Sequence, residues 1–317
     1  MINIGIIGAG IISRSHVQAC ENIDWARVTC IADIVYERAA AFTDSFGIKA
    51  YSDYKQMIDN EDLQAVIITL PHNLHKSATV DCCNKGLNVL IEKPMAISSK
   101  ECEEMIEAAN TNGVKLMVAH VQRYFPENIK AKEIIASKEL GELIMIVDVR
   151  NNDYFSEDRP KWFLNPTMSG GGIFMNYGAH SLDKIIWITD SNVKNVEGNI
   201  GFFNEIYNVE GNAQAFIELE NGVTAVLSQH GYKGDSKNIT EFCCTNGVIK
   251  LCTGKGLWVD KGKGFEEVIL EEKEKVFENQ LLDFLNAIKH GTKPEISGEY
   301  GLNIIKLIET FYGSSRG

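Results

Sequence analysis

The chain has 317 residues, of which 44% are hydrophobic and 23% charged; this suits two globular domains and excludes a disordered or low-complexity protein. Lys and Arg number 31 against 43 Asp and Glu, a formal charge of −12, and no basic run offsets it, so binding to nucleic acid or to an anionic membrane is not expected. No apolar run approaches the roughly 20 residues that span a bilayer, and Met1-Ile2-Asn3-Ile4-Gly5 lacks the basic and apolar regions of a secretory leader, so a cytoplasmic protein is expected.

Residues 2–8 form a short apolar run that ends in glycine and leads into a helical stretch through Cys20. Residues 26–33 are a second run ending in an acid, and 36–46 read as a helix closed by Gly47. A third run, 65–70, stops at Pro71, and the helix over 74–84 ends at Gly86. Residues 88–91 are a fourth run, followed by Glu92-Lys93-Pro94. Ser98 opens a helix with Glu101 and Glu103 in its first turn, ending near Gly113, and 115–119 make a fifth run. Continuous apolar runs without alternation, separated by helices, predict a parallel sheet buried on both faces. Repeated βα units of this kind build an α/β doubly wound domain, placed at residues 1–122.

The pattern changes after about residue 125. A helix over 127–137 leads into a longer strand over 142–149. From 193 to 270 strand follows strand, with Asn221-Gly222 and Asn246-Gly247 between apolar alternations, which is a strong hairpin signal. A helix over 271–290 shows an apolar stripe of Phe277, Leu281, Phe284, Leu285 and Ile288. Ser297 caps a last helix, about 298–312, which can pack back on the first domain. The second domain, 123–317, is therefore expected to be α+β with a mostly antiparallel sheet.

The eight cysteines form no CxxC pair, and several stand among apolar neighbours, as Cys30 does in Val28-Thr29-Cys30-Ile31-Ala32. They read as reduced core thiols, with a zinc site as the weaker alternative and no metal expected.

Gly8-Ala9-Gly10-Ile11-Ile12-Ser13 ends the first strand and opens the first helix. Gly8 can make a tight turn, and Gly10 lets backbone approach a pyrophosphate lying on the helix N-terminus. Asp33 ends the second strand 23 positions past Gly10, near the spacing of about 20 at which an acid meets the ribose hydroxyls of a dinucleotide. A carboxylate there repels a 2′-phosphate, and Ile34 and Val35 offer no cation to offset it, so NAD is expected over NADP. The plainer alternative is that Asp33 is a strand-end acid.

Lys93 follows the fourth run, at the carboxyl end of a strand where open α/β sheets bind ligands. Pro94 permits a cis bond that would aim the side chain. A lysine near a nicotinamide can hydrogen-bond a reacting hydroxyl and stabilise charge developing on oxygen. The second constellation is Gly170-Gly171-Gly172, followed by Asn176, His180 and Asp183 on one helix. Asn176 and His180 are four apart and share a face, and His180 could take the hydroxyl proton as hydride leaves. A satisfied core histidine is the structural alternative.

On these motifs the chain resembles the glucose–fructose oxidoreductase and inositol dehydrogenase family, Gfo/Idh/MocA. The resemblance rests on Gly8-Ala9-Gly10 with His16, on Pro71-His72-Asn73-Leu74-His75, on Glu92-Lys93-Pro94, on Gln122-Arg123-Tyr124-Phe125-Pro126 and on residues 170–183. It implies a Rossmann domain, then a domain with an open, mostly antiparallel sheet whose outer face builds homodimers or homotetramers. It implies hydride transfer between nicotinamide and a secondary alcohol or carbonyl of a sugar, cyclitol or polyol. It places Gly8, Gly10, Ile11, Ile12, Asp33, Leu70, Pro71, His75, Glu92, Lys93 and Gln122 at the cofactor. It makes Lys93, His180 and Asn176 the catalytic set, with Lys93, Arg123, Trp162, Asn176 and His180 around the substrate. Members with established dehydrogenase chemistry usually carry Asp where this chain has Asn176, which puts an Asp–His relay in doubt and leaves Asp183 as the nearer carboxylate, itself read as a structural residue. A catalytically silent nicotinamide-binding regulator is the alternative function; an NAD-using glycoside hydrolase is a third. The loops between Asn151 and Ser169 are expected to decide the substrate.

Overall fold

The computed structural model describes residues 1–270 and 275–315. These fall into two compact units, the first made of residues 1–120 with 275–303, the second of the remaining described residues. In the first unit, strands β1 (Ile2–Ile7), β2 (Ala26–Ala32), β3 (Lys49–Tyr51), β4 (Ala65–Ile68), β5 (Asn88–Glu92) and β6 (Leu116–Ala119) form one parallel sheet. Its order is β3-β2-β1-β4-β5-β6, so the chain reverses direction across the sheet between β1 and β4. Helices α1 (Ile11–Glu21), α2 (Tyr36–Phe46), α3 (Tyr54–Asn60), α4 (His75–Asn84) and α5 (Ser99–Thr111) connect the strands. All four residues of β4 are fully buried, as are Val89, Leu90 and Ile91 of β5, which is why these runs show no polar alternation. β3 and α3 were not foreseen: three residues are too short for a strand pattern to register.

The second unit opens with α6 (Pro126–Ser137), β7 (Leu143–Asn151), the single turn α7 (Pro166–Ser169) and α8 (Ala179–Thr189), which is preceded by a π-helical turn over Phe174–Gly178. Then come β8 (Val193–Gly201), β9 (Asn212–Leu219), β10 (Thr224–His230), β11 (Lys237–Cys244), β12 (Gly247–Cys252), β13 (Gly256–Asp260) and β14 (Phe265–Glu267). They make an eight-stranded sheet in the order β14-β13-β12-β11-β7-β10-β9-β8, antiparallel throughout except for the β7–β10 pair. Asn221-Gly222 forms the β9–β10 turn, with Gly222 at φ +85°. On β9 the inward Ala213, Ala215, Ile217 and Leu219 are buried while Gln214 and Phe216 face out. The inward face also carries Asp148 of β7, which holds Lys184 of α8 at 2.8 Å and accepts hydrogen bonds from Ser181 and Thr240, each at 2.7 Å. This cluster ties α8 to β7 and β11.

Residues 275–303, which the expected second domain over 123–317 includes, group with the first unit. Helix α9 (Val276–His290) sets the Phe277 ring edge-on to His16 of α1 at 5.3 Å, and Val118 of β6 donates its N–H to Ile296 at 2.8 Å. An apolar stripe says that one helix face is covered but not by which sheet. The expected start of this helix, residues 271–274, lies outside the described residues. The last helix, α10 (Gly298–Ser314), begins in the first unit and ends in the second. Among the described residues no helix is long and apolar enough to cross a membrane. None of the eight cysteines is in a disulfide, and Cys20, Cys30, Cys82, Cys83 and Cys102 are buried. Burial pushes the Cys20 and Cys30 thiols up to about 11.

Candidate active site

In the first unit the sequence-predicted cofactor residues gather at the carboxyl ends of β1, β2, β4 and β5. Gly8 leaves β1 at φ +103°, and a Cβ there would meet the Thr69 carbonyl oxygen at 2.8 Å, so only glycine fits. Ser13, in the position where a third glycine is common, donates its hydroxyl to the Gly8 carbonyl at 2.8 Å and meets Thr69 Oγ1 at 2.9 Å. It thereby locks the turn from inside. Gly10 caps α1 with no side-chain hydrogen bond, nothing lies within 4 Å of where its Cβ would be, and Ile11 beside it is 89% exposed. The N–H groups of the first helical turn thus have open space before them, which fits a pyrophosphate.

Asp33 frames this loop from β2. Its Oδ2 accepts the Ala9 N–H at 2.9 Å and its Oδ1 the Val35 N–H at 2.8 Å. Each oxygen keeps a further lone pair for a ribose hydroxyl. The apolar Ile34, Val35 and Tyr36 beside it are all exposed.

Lys93 follows β5, half-buried, and the Lys93–Pro94 peptide is cis. Two buried histidines set the backbone around it. His16 Nε2 meets Glu92 Oε1 at 2.9 Å, and Glu92 Oε2 accepts the Lys93 N–H at 3.3 Å. Burial pushes the Glu92 carboxyl up, but the His16 hydrogen bond and the Lys93 charge outweigh it and hold the group below its usual value. His75, fully buried at the start of α4, meets the Leu70 carbonyl with Nε2 at 2.8 Å and the Pro94 and Met95 carbonyls with Nδ1 at 3.1 and 3.2 Å. Burial pulls its imidazole below the ordinary value. His75 thus bridges the Leu70-Pro71 turn and the Pro94-Met95 turn; Ile12 lies beside Ile11 in the first turn of α1.

In the second unit His180 and Asn176 are both buried, at 7% and 4% exposure. Asn176 sits inside the π-helical turn, where the backbone closes one residue wider than in an α-helix; such turns recur at functional sites. The glycines before it are held by partners the sequence reading missed. Glu210 accepts the Gly172 N–H at 2.7 Å, the Phe174 N–H at 3.1 Å and the Tyr312 hydroxyl at 2.6 Å. Gly172 must be glycine because the Glu210 backbone lies against it, its N 2.9 Å from where a Cβ would stand. Burial pushes the Glu210 carboxyl above its usual value despite these donors. Tyr154, fully buried, donates to the Gly172 carbonyl at 3.2 Å and hydrogen-bonds Asn176.

The remaining expected residues divide. Arg123 Nε donates to Asp183 Oδ1 at 2.9 Å, with side chains 6% and 0% exposed. Asp183 is therefore engaged in a buried ion pair that fastens the turn before α6 to α8, which supports its structural reading. Gln122 accepts the Asn128 side-chain N–H on its own carbonyl at 2.7 Å, next to that anchor. Trp162 is half-buried and stacks on Phe163 with centroids 3.7 Å apart.

Known proteins agree with this architecture. The family model for the oxidoreductase family with an NAD-binding Rossmann fold matches residues 2–120, and that of the GFO/IDH/MocA C-terminal domain matches residues 128–250. An uncharacterized oxidoreductase of Streptococcus pneumoniae is 26% identical over 223 residues, 69% of this chain and 59% of that protein. Inositol 2-dehydrogenase of Salmonella typhimurium is 25% identical over 307 residues, 92% of this chain and 88% of that one. The crystal structure of aldose-aldose oxidoreductase from Caulobacter crescentus, complexed with glycerol, shares the fold with a TM-score of 0.90 at 22% identity, over 99% of this chain and 97% of that chain. The chain therefore belongs to the Gfo/Idh/MocA oxidoreductase family, whose first domain is an NAD-binding Rossmann fold.

Proposed function

We propose that the protein is an NAD-dependent dehydrogenase moving a hydride between nicotinamide and a secondary alcohol or carbonyl of a sugar, cyclitol or related polyol. The observation that carries this is the strand-end cluster of the first unit, where an open α1 N-terminus and Asp33 stand at the same sheet edge as Lys93. The inositol and aldose enzymes among the relatives support the substrate class. When bound, the nicotinamide supplies the hydride acceptor or donor. Lys93 holds the reacting hydroxyl and steadies negative charge on its oxygen. His180 takes the hydroxyl proton in the oxidising direction and returns it in the other. Asn176 has no proton to exchange, so its part is to orient substrate or imidazole by hydrogen bonding. Arg123 and Trp162 complete the substrate contacts.

The protein works in the cytoplasm as a homodimer or homotetramer through the outer face of the second sheet. Met145, Phe216 and Val226 are each more than 40% exposed there, a larger apolar display than a solvated face needs. Sedimentation velocity is expected to give a dimer or larger species; a monomer at micromolar concentration overturns this part.

The catalytic reading is tested by following NADH formation across polyols, aldoses and cyclitols. Lys93→Ala and His180→Ala are each expected to lower kcat/KM by about 10²- to 10⁴-fold while NAD binding persists. Undiminished turnover in His180→Ala removes its acid/base role. No turnover with any alcohol or its oxidised form, with NAD still bound, favours a catalytically silent regulator.

A further inference from the structure

Although acidic side chains exceed basic ones by 12 in this chain, two arginines of the second unit have no carboxylate partner within 4 Å among the described residues. Arg150 points inward from the end of β7, two residues beyond Asp148, and its guanidinium lies over the Tyr177 ring at 4.2 Å, donating no hydrogen bond to any of the described residues. Arg159, in the loop after β7, lies over the Tyr154 ring at 4.1 Å and donates one bond, from Nη2 to the Tyr177 hydroxyl at 3.0 Å. Its buried Nε has no partner. A guanidinium has five N–H donors, so most of the directional capacity of this pair is unused.

Aromatic faces hold both cations in place without neutralising them. The ring they share, Tyr177, adjoins Asn176, and Tyr154 beneath Arg159 hydrogen-bonds Asn176. Flanking Arg150 in the sheet register are Gln229 of β10 and Asn238 of β11, whose buried Oε1 and Oδ1 lack partners. The arrangement sets donors for an anion and acceptors for hydroxyls around one end of the helix that carries His180. A planar carboxylate matches the guanidinium fork, which a neutral hydroxyl does not.

We infer that the substrate is a sugar acid or polyol acid, its carboxylate seated by Arg150 and Arg159 beside Asn176; this rests on the dehydrogenase reading above. The anion orients the substrate so that a neighbouring hydroxyl, and not the acid group, reaches the reacting position. Arginine in the loop over residues 152–165 thus sets which polyols are accepted.

The test pairs each acid with its neutral counterpart: D-gluconate with D-glucitol, D-glucuronate with D-glucose. Binding to the NADH-loaded protein is measured by calorimetry, and kcat/KM with NAD is measured on the same panel. The acid is expected to be preferred by about 10- to 100-fold, and Arg159→Gln to reduce that preference by a similar factor with NADH affinity retained. Arg150→Gln is expected to do the same, and Arg159→Lys to restore only part, because an ammonium lacks the planar fork. Equal handling of acid and neutral partner, a preference untouched by Arg159→Gln, or no binding of either acid overturns the inference. Stronger binding of glucose 6-phosphate than of either acid overturns the carboxylate in favour of a phosphate. Turnover of neutral partners alone leaves the dehydrogenase standing without the acid subsite. Arginine-dependent acid binding with no NADH from any compound leaves the subsite standing without the dehydrogenase.

Discussion

At the strand ends of the first unit, the groups proposed to meet the cofactor are mostly backbone: the amides of the first turn of α1, a glycine turn, and one carboxylate that also holds the loop. Around residues 170–180 of the second unit the corresponding work falls to buried side chains drawn from far along the chain. Glu210, 38 residues past Gly172, supports the glycine segment, and Asp148 fastens α8 from a strand 36 residues before Lys184. A site of backbone tolerates many neighbours, because each N–H is present whatever the residue. A site resting on buried charges loses its geometry when one partner goes. The two regions should therefore fail differently when altered.

The sharpest break is at the Asp148–Lys184 pair, where both side chains are 1% exposed. Asp148→Asn leaves Lys184 as a buried charge without its counter-ion, and stability is expected to fall by about 3–5 kcal/mol in urea unfolding. Replacing both, by Val at 148 and Met at 184, should recover most of that loss. Burial pushes Asp148 up, but Lys184 and the Ser181 and Thr240 hydroxyls outweigh it and leave the carboxyl below its usual value. A lowered carboxyl stabilises fully above the ordinary Asp value of about 3.9 and loses that contribution as pH falls through its lower folded value. The deficit of Asp148→Asn should accordingly shrink in acid. A deficit that grows there contradicts the ion-pair account.

Glu210 gives the opposite sign from the same unit. Its raised carboxyl contributes most below the ordinary Glu value of about 4.3, and that contribution is lost as pH rises through the higher folded value. Glu210→Gln puts an amide N–H₂ where backbone N–H groups and the Tyr312 hydroxyl now donate, at a cost of about 1–3 kcal/mol. The cost is expected to be largest near pH 4 and to diminish toward pH 8, because only the wild type has a buried carboxylate to ionise. If support of the Gly172 segment matters to the reaction, kcat falls with NAD affinity unchanged. A variant with full kcat and lower stability would make Glu210 a structural residue alone.

This contrast also explains what was legible in the sequence. The five apolar runs of the first sheet announced themselves because burial on both faces removes polar alternation, and Gly8, Gly10 and Asp33 because a strand-end turn has a fixed spacing. The loop between β7 and α7 was expected to decide the substrate, but its chemistry was not read from the sequence. Arg150 carried a signal that could have been used: it follows Ile146 and Asp148 at the same parity, so β7 puts two charges on the face it buries. Glu210 carried none, since Val209-Glu210-Gly211 looks like any strand entrance and its partners are distant in sequence. The same limit hid the allegiance of α9, whose stripe was clear while the sheet it covers was not.

The smallest effect is expected at Asp33, where the backbone site should bend without breaking. Asp33→Asn keeps one acceptor oxygen and gives up the negative charge, so either the Ala9 or the Val35 N–H loses its present partner. The loop is also held by the Gly8 turn and by Ser13 and Thr69, which the change leaves in place. NAD is expected to bind about 10-fold more weakly, close to 1.4 kcal/mol, while NADP loses the repulsion between its 2′-phosphate and the carboxylate. The ratio of the two affinities, read from fluorescence titrations with each cofactor, should therefore move toward NADP by more than the NAD loss alone. An unchanged ratio would mean that Asp33 serves only to brace the loop, and that the preference for NAD comes from the exposed apolar surface of Ile34, Val35 and Tyr36.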